Sequence, residues 1–198
     1  MHKVAGVVLM IGMGCMSALG AQPEVPPNAP LQISFSYSYA RANAGPGQCG
    51  CFNMNGGSTE VAFHAYRALS AVFDLTGERA GSIGSTPGAG LSLVSVTAGP
   101  RYSLRFPREK LSRYTPFVQG LVGIAHGFDS LFPSANGSAA GAASSLTVLA
   151  GGGLDLTMNR HLAIHAIQAD YLRTQLPNAA GNGQNLLRVS VGMVFRVW

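Results

Sequence analysis

The chain has 198 residues and a formal net charge of +5, yet charged residues make up only 11% of it, alongside 26 glycines. Charge this sparse, with a positive mean hydropathy, argues against an ordinary soluble exported domain. The basic residues are scattered and have no interleaved aromatics, which excludes nucleic acid as a partner. Beyond the first twenty residues no apolar run is long enough for a spanning helix.

Met1-His-Lys3 followed by Val4 to Ile11 is a short basic region and then an apolar core. Ala18-Leu-Gly20 is a small-x-small site, so residues 1–21 read as a signal peptide. Cys15 is preceded by Gly12-Met-Gly14, a poor match to a lipidation site. Residues 22–30, Gln22-Pro-Glu-Val-Pro-Pro-Asn-Ala-Pro30, form a proline-rich linker. One domain, 31–198, remains.

Eight segments of that domain alternate with the period of two expected of strands with one apolar and one polar face. In Leu31 to Arg41, Leu31, Ile33, Phe35, Tyr37 and Tyr39 alternate with Gln32, Ser34, Ser36 and Ser38. Ser58 to Arg67 sets Val61, Phe63 and Ala65 against Glu60, His64 and Tyr66. Ser70 to Arg79 sets Phe73 and Leu75 against Asp74, Thr76 and Glu78. Leu91 to Leu104 sets Val94, Val96, Ala98 and Tyr102 against Ser95, Thr97, Gly99 and Arg101, with Pro100 marking a weak point or a bulge. Thr115 to Phe128 sets Val118, Val122 and Ile124 against Gln119, Gly123 and Ala125. Ser145 to Thr157 sets Val148, Leu154 and Leu156 against Thr147, Gly151, Gly153 and Asp155. His161 to Arg173 sets Ile167, Ala169 and Tyr171 against Gln168 and Asp170. Leu186 to Trp198 sets Leu187, Val189, Val191, Met193, Phe195 and Val197 against Arg188, Ser190, Gly192 and Arg196, with Val194 the apolar exception.

The last strand runs to the chain terminus, where isolated strands fray. Pairing it with Leu31 to Arg41 closes the sheet and removes both edges. The connections are expected to alternate: short around Ala68-Leu69, Phe106 to Tyr114 and Met158-Asn-Arg160, and long at Ala42 to Gly57, Ala80 to Gly90, Asp129 to Ser144 and Thr174 to Asn185. That asymmetry puts every long loop at one end of the sheet, as in outer-membrane barrels.

The leader, the eight alternating segments, Gly151-Gly-Gly-Leu-Asp155, Gln168-Ala-Asp-Tyr-Leu-Arg173 and Val194-Phe-Arg-Val-Trp198 together resemble the small OmpA-type eight-stranded outer-membrane β-barrels of Gram-negative-type bacteria. The resemblance covers nearly the whole mature chain. It implies an all-β, antiparallel up-and-down transmembrane barrel in the bacterial outer membrane. It further implies a monomer, with outer-membrane lipids as partners and the barrel-assembly machinery as a partner during biogenesis. It carries little information about activity, because this barrel hosts pores, adhesins, anchors and enzymes. One departure from the family pattern concerns the terminus: Trp198 is out of phase with Phe195 and Val197, which requires a bulge or a position beyond the last ladder pair.

With the apolar set facing lipid, the lumen receives Glu60, His64, Asp74, Glu78, Arg101, Gln119, Asp155, Gln168, Asp170, Arg188 and Arg196. An eight-stranded barrel is just wide enough for its side chains to fill. The expectation is therefore a packed polar core in which acids and arginines neutralise one another, with Asp170 and Glu60 as partners for Arg188 and Arg196. A narrow ion path gated by those pairs is the alternative. His126, with Asp129 and Ser130, is the only local match to a lipid-modifying site. His161 and His165, four apart on a strand, are assigned no metal.

Cys49-Gly-Cys51 lies in the first long loop, where an exported protein meets oxidising conditions. A small ring disulfide is expected, with intermolecular pairing and metal capture as alternatives. The long loops hold Gly, Ser, Ala, Asn and Pro with almost no charge, suiting saccharide or protein contact. Arg105, Arg108, Lys110 and Arg113 crowd one inner turn and would meet anionic headgroups. The sequence thus points to a membrane anchor displaying loops that meet an extracellular ligand. It implies no enzyme and no cofactor; a small-solute pore and a lipid-modifying enzyme are the other readings.

Overall fold

The computed structural model describes residues 29–43, 51–81, 90–106, 111–133, 139–177 and 183–198. Eight antiparallel strands close into a barrel in chain order: β1 (Leu31–Asn43), β2 (Cys51–Tyr66), β3 (Leu69–Ala80), β4 (Leu91–Ser103), β5 (Tyr114–Pro133), β6 (Ala139–Thr157), β7 (Leu162–Thr174) and β8 (Gln184–Val197). Strand β8 pairs with β1 from Leu31↔Val197 to Ala42↔Leu186, so no sheet edge remains along the barrel wall. Both ends of this seam carry the clearest alternation in the chain. Residues 1–28, and with them the signal peptide and most of the linker, lie outside the described residues. Of the linker, Ala29 is buried and the Pro30 carbonyl accepts a hydrogen bond from the His64 N–H.

The barrel is turned inside out relative to a soluble protein. Ile124, Val122, Val118 and Val191 on the outer face are about half exposed or more, whereas Asp170 and Arg188 in the lumen are 0% and 1% exposed. Only a lipid surround makes that distribution stable, since apolar surface is then outside water and charges are paired within. Val194, the exception to the alternation, is a lumen residue at 4% exposure.

Three strands are longer than their alternation suggests. β2 starts at Cys51 instead of Ser58, β5 continues to Pro133 instead of Phe128, and β6 starts at Ala139 instead of Ser145. Alternation is plainest where one face meets lipid. Beyond that belt the outer face is wet while the lumen still takes Phe52, Met54 and Phe132, and backbone pairing continues through Gly-, Ser- and Ala-rich sequence that hides the period. The expected long loops Ala42 to Gly57 and Asp129 to Ser144 therefore shrink to 44–50 and 134–138 between strands. The expected short turn from β4 to β5 is corrected too, because 104–113 is as long as 81–90. What marks the long-loop end is strand extension, above all the β5–β6 hairpin.

A tightly curved wall needs close strand approach, and inward-facing glycines supply it. A Cβ on Gly151 would lie 2.0 Å from Asp170 Oδ1 and 2.6 Å from the Ala169 carbonyl oxygen. Only glycine lets β6 pass β7 with that carboxylate in place.

Candidate functional site: a layered lumen

The middle of the lumen is a polar layer assembled from six strands. Arg101 on β4 forms an ion pair with Glu60 on β2 and donates through Nε to Gln119 Oε1 on β5 at 2.9 Å. Its guanidinium carbon also lies 4.2 Å from the centroid of the Phe117 ring. Gln168 on β7 bridges the two acids, donating to Glu60 Oε1 at 3.2 Å and to Asp170 Oδ2 at 2.7 Å. Arg188 on β8 donates to Asp170 Oδ2 through Nη2 at 2.9 Å and Nε at 3.2 Å. It reaches across the lumen to Thr76 Oγ1 at 2.6 Å, and lies 3.7 Å from Asp74 Oδ1 on β3. Asp74 accepts further hydrogen bonds from Thr76 and Thr97. Each arginine thus faces carboxylates, which is what lets charged groups remain in a dry interior.

Below this layer, toward the end where the chain begins and finishes, His165 Nδ1 lies 2.7 Å from Asp155 Oδ1, and its ring packs 5.4 Å from that of Phe117. Strict alternation would put His165 on the lipid face with Ile167. The register shift between His165 and Gln168 inserts an extra residue, so both point inward. The sequence gives no period signal for that bulge. A buried histidine near an acid is its only hint.

Above the polar layer, toward the long-loop end, the lumen is apolar. Met54, Leu91, Leu93, Leu172, Leu176 and Leu186 fill it with Phe52 and Phe132, and each is at most 6% exposed. This corrects the expectation of a polar interior throughout. Phe52, Met54 and Phe132 stand at lumen positions of strand ends where small and polar residues surround them, so their alternation is masked.

The sequence-derived residues fall as follows. Glu60, Asp74, Arg101, Gln119, Gln168, Asp170 and Arg188 share the central layer, and Asp155 lies in the layer beneath. Glu78 is buried on β3, and Arg188 pairs with Asp170 as expected. His64 is half-buried at the short-turn end of β2. Arg196 is not the partner of Glu60: it donates to Thr157 Oγ1 at 3.1 Å. The register sets Arg196 opposite Gln32 and Ala62, two residues further down β2 than Glu60. Arg105 stands just past β4 with an exposed side chain. Arg108 and Lys110 lie outside the described residues.

Cys51 opens β2 with an exposed side chain opposite Asn43; Cys49 lies outside the described residues. His126 Nδ1 lies 2.7 Å from Ser144 Oγ on the outer face, while Asp129 accepts from Ser92 Oγ at 2.9 Å. The expected grouping of His126 with Asp129 and Ser130 is thus replaced by two separate cross-strand pairs. No cluster of three or more His, Cys, Asp or Glu able to hold a metal occurs among the described residues. Trp198 stands beyond the last ladder pair, its Nε1 donating to the Arg160 carbonyl at 3.2 Å.

No protein-family model matches the chain, and no curated protein does. Solved structures do. Neisserial surface protein A superposes with a TM-score of 0.62 at 13% identity, over 85% of this chain and 98% of that one. Ail, the attachment invasion locus protein of Yersinia pestis, gives 0.56 at 19% identity over 86% and 99%. OprG from Pseudomonas aeruginosa gives 0.50 at 8% identity over 86% and 97%. With its closed antiparallel wall, apolar exterior and ion-paired interior, this chain has the fold of the eight-stranded OmpA-type outer-membrane β-barrels.

Proposed function

We propose that the protein is a surface-interaction anchor: a plugged barrel that holds extended strands and loops above the outer membrane. The observation that carries this reading is the apolar fill of the outer half of the lumen. Ions cross a pore by exchanging water for polar ligands, and leucine, methionine and phenylalanine side chains supply none, so the buried Glu78 opposite Leu93 stands without a continuous polar path around it. The same leucines give the projecting ends of β2, β5 and β6 a rigid base. Ail is by name an attachment protein, and a role of that class suits a chain whose outer loops are built from small polar residues. The test is reconstitution into planar bilayers. Silent membranes containing folded protein are expected; discrete conductance steps that survive purification would overturn the reading in favour of the small-solute pore.

A further inference from the structure

Of the acids buried in the lumen, Glu60, Asp74, Asp155 and Asp170 each face a basic side chain at 3.7 Å or less. Glu78 on β3, 5% exposed, forms no ion pair among the described residues, and its Oε1 has no hydrogen-bond partner there. Arg188 is the cation whose field reaches it, but that guanidinium is committed to Asp170, Asp74 and Thr76. Three carboxylates, Asp74, Asp170 and Glu78, thus stand around one arginine.

Two more buried oxygens are equally unmatched, Ser38 Oγ on β1 and Ser190 Oγ on β8, in residues 0% and 2% exposed. The register sets them in one row with Glu78: Ser190 pairs with Ser38, Ser38 with Gly56, and Gly56 with Glu78. Gly56 is the gap in that row. A Cβ there would collide with the Gly77 carbonyl oxygen, so no side chain separates Ser38 from the longer Glu78. Ser38 faces the Glu78 carboxylate without the geometry of a hydrogen bond. Leu93, opposite Glu78 on β4, belongs to the apolar fill that closes the row toward the long-loop end.

We infer that Glu78, Ser38 and Ser190 hold a monovalent alkali cation inside the plug. An unmatched buried oxygen is costly, and an unneutralised buried carboxylate more so. One bound cation removes both penalties, and the excess of carboxylates over guanidinium around it favours a further positive charge. A carboxylate with two hydroxyls is a hard-oxygen set, unlike the nitrogen and sulfur ligands that select transition metals. Its single negative charge balances one positive charge, and the row lacks the roughly six or more oxygens that calcium or magnesium collects. The site concerns the interior of the plug, so it goes beyond the anchor reading and does not depend on it.

The test is urea unfolding of the full barrel in phosphatidylcholine vesicles, with sodium chloride exchanged stepwise for choline chloride at constant ionic strength. Once sodium saturates the site, each tenfold rise should increase the folding constant about tenfold, as release of one ion on unfolding requires. Glu78→Gln should abolish that dependence. Ser38→Ala combined with Ser190→Ala should move it to about tenfold higher sodium, whereas Asp129→Asn, at an exposed acid on β5, should keep the wild-type response. Heat-modifiable gel migration verifies that each variant is folded. Equal wild-type stability in sodium and choline would overturn the inference and leave Glu78 to water or a proton. A sodium dependence that persists in Glu78→Gln would also overturn it, because the ion would then bind elsewhere.

Discussion

Replacing Arg188 by methionine keeps most of the aliphatic volume and removes the one guanidinium between Asp170 and Asp74. Three hydrogen bonds disappear with it, two to Asp170 and one to Thr76. Both carboxylates are at most 1% exposed, so water cannot take the vacated place. Removing one partner of a buried ion pair costs about 3–5 kcal/mol, because the remaining charge stays desolvated. Asp170 keeps donors from Gln168 at 2.7 Å and Gln119 at 3.4 Å, and Asp74 keeps two threonine hydroxyls. These neutral contacts place the expected loss near the lower bound, about 3 kcal/mol. The assay is urea unfolding of the barrel in lipid vesicles, followed by emission of Trp198, the only tryptophan. Adding Asp170→Asn to R188M should recover about half of the loss, since one stranded charge is then removed. The reasoning is refuted if R188M costs under about 1 kcal/mol, the range of an exposed surface pair, or if the two substitutions simply add.

Two further outcomes check the geometry of the wall and the filling of the lumen. Gly151→Ala should destabilise the barrel by about 1–3 kcal/mol, the ordinary cost of overpacking, and more than Gly120→Ala, whose Cβ would meet nothing within 4 Å; the same urea titration compares them. Leu149→Ala, at a position 0% exposed, should cost about 2–5 kcal/mol as a cavity mutation, while Ile124→Ala, 61% exposed toward lipid, should cost clearly less. Equal losses at the two positions would mean that the inside and outside faces have been exchanged.

The phase of every strand was legible in the sequence, because facing lipid on one side is a local demand that each segment meets residue by residue. Phe35, Val96 and Val191 declare the outside, and Glu60, Asp74, Asp170 and Arg188 the inside, without reference to any neighbour. Closure also followed, from two well-patterned terminal strands with no other way to satisfy their edges. Only the tertiary structure decided who meets whom. Glu60 pairs with Arg101 and not Arg196 because the register offsets β8 and β2 by two residues. His165 enters the lumen because one bulge reverses a phase that alternation alone carries forward. The leucine and methionine fill above the ion pairs arises from lumen positions scattered over several strands, which a one-dimensional pattern does not bring together. Alternation is a property of single strands, whereas register, bulges and stagger belong to pairs and to the closed ring.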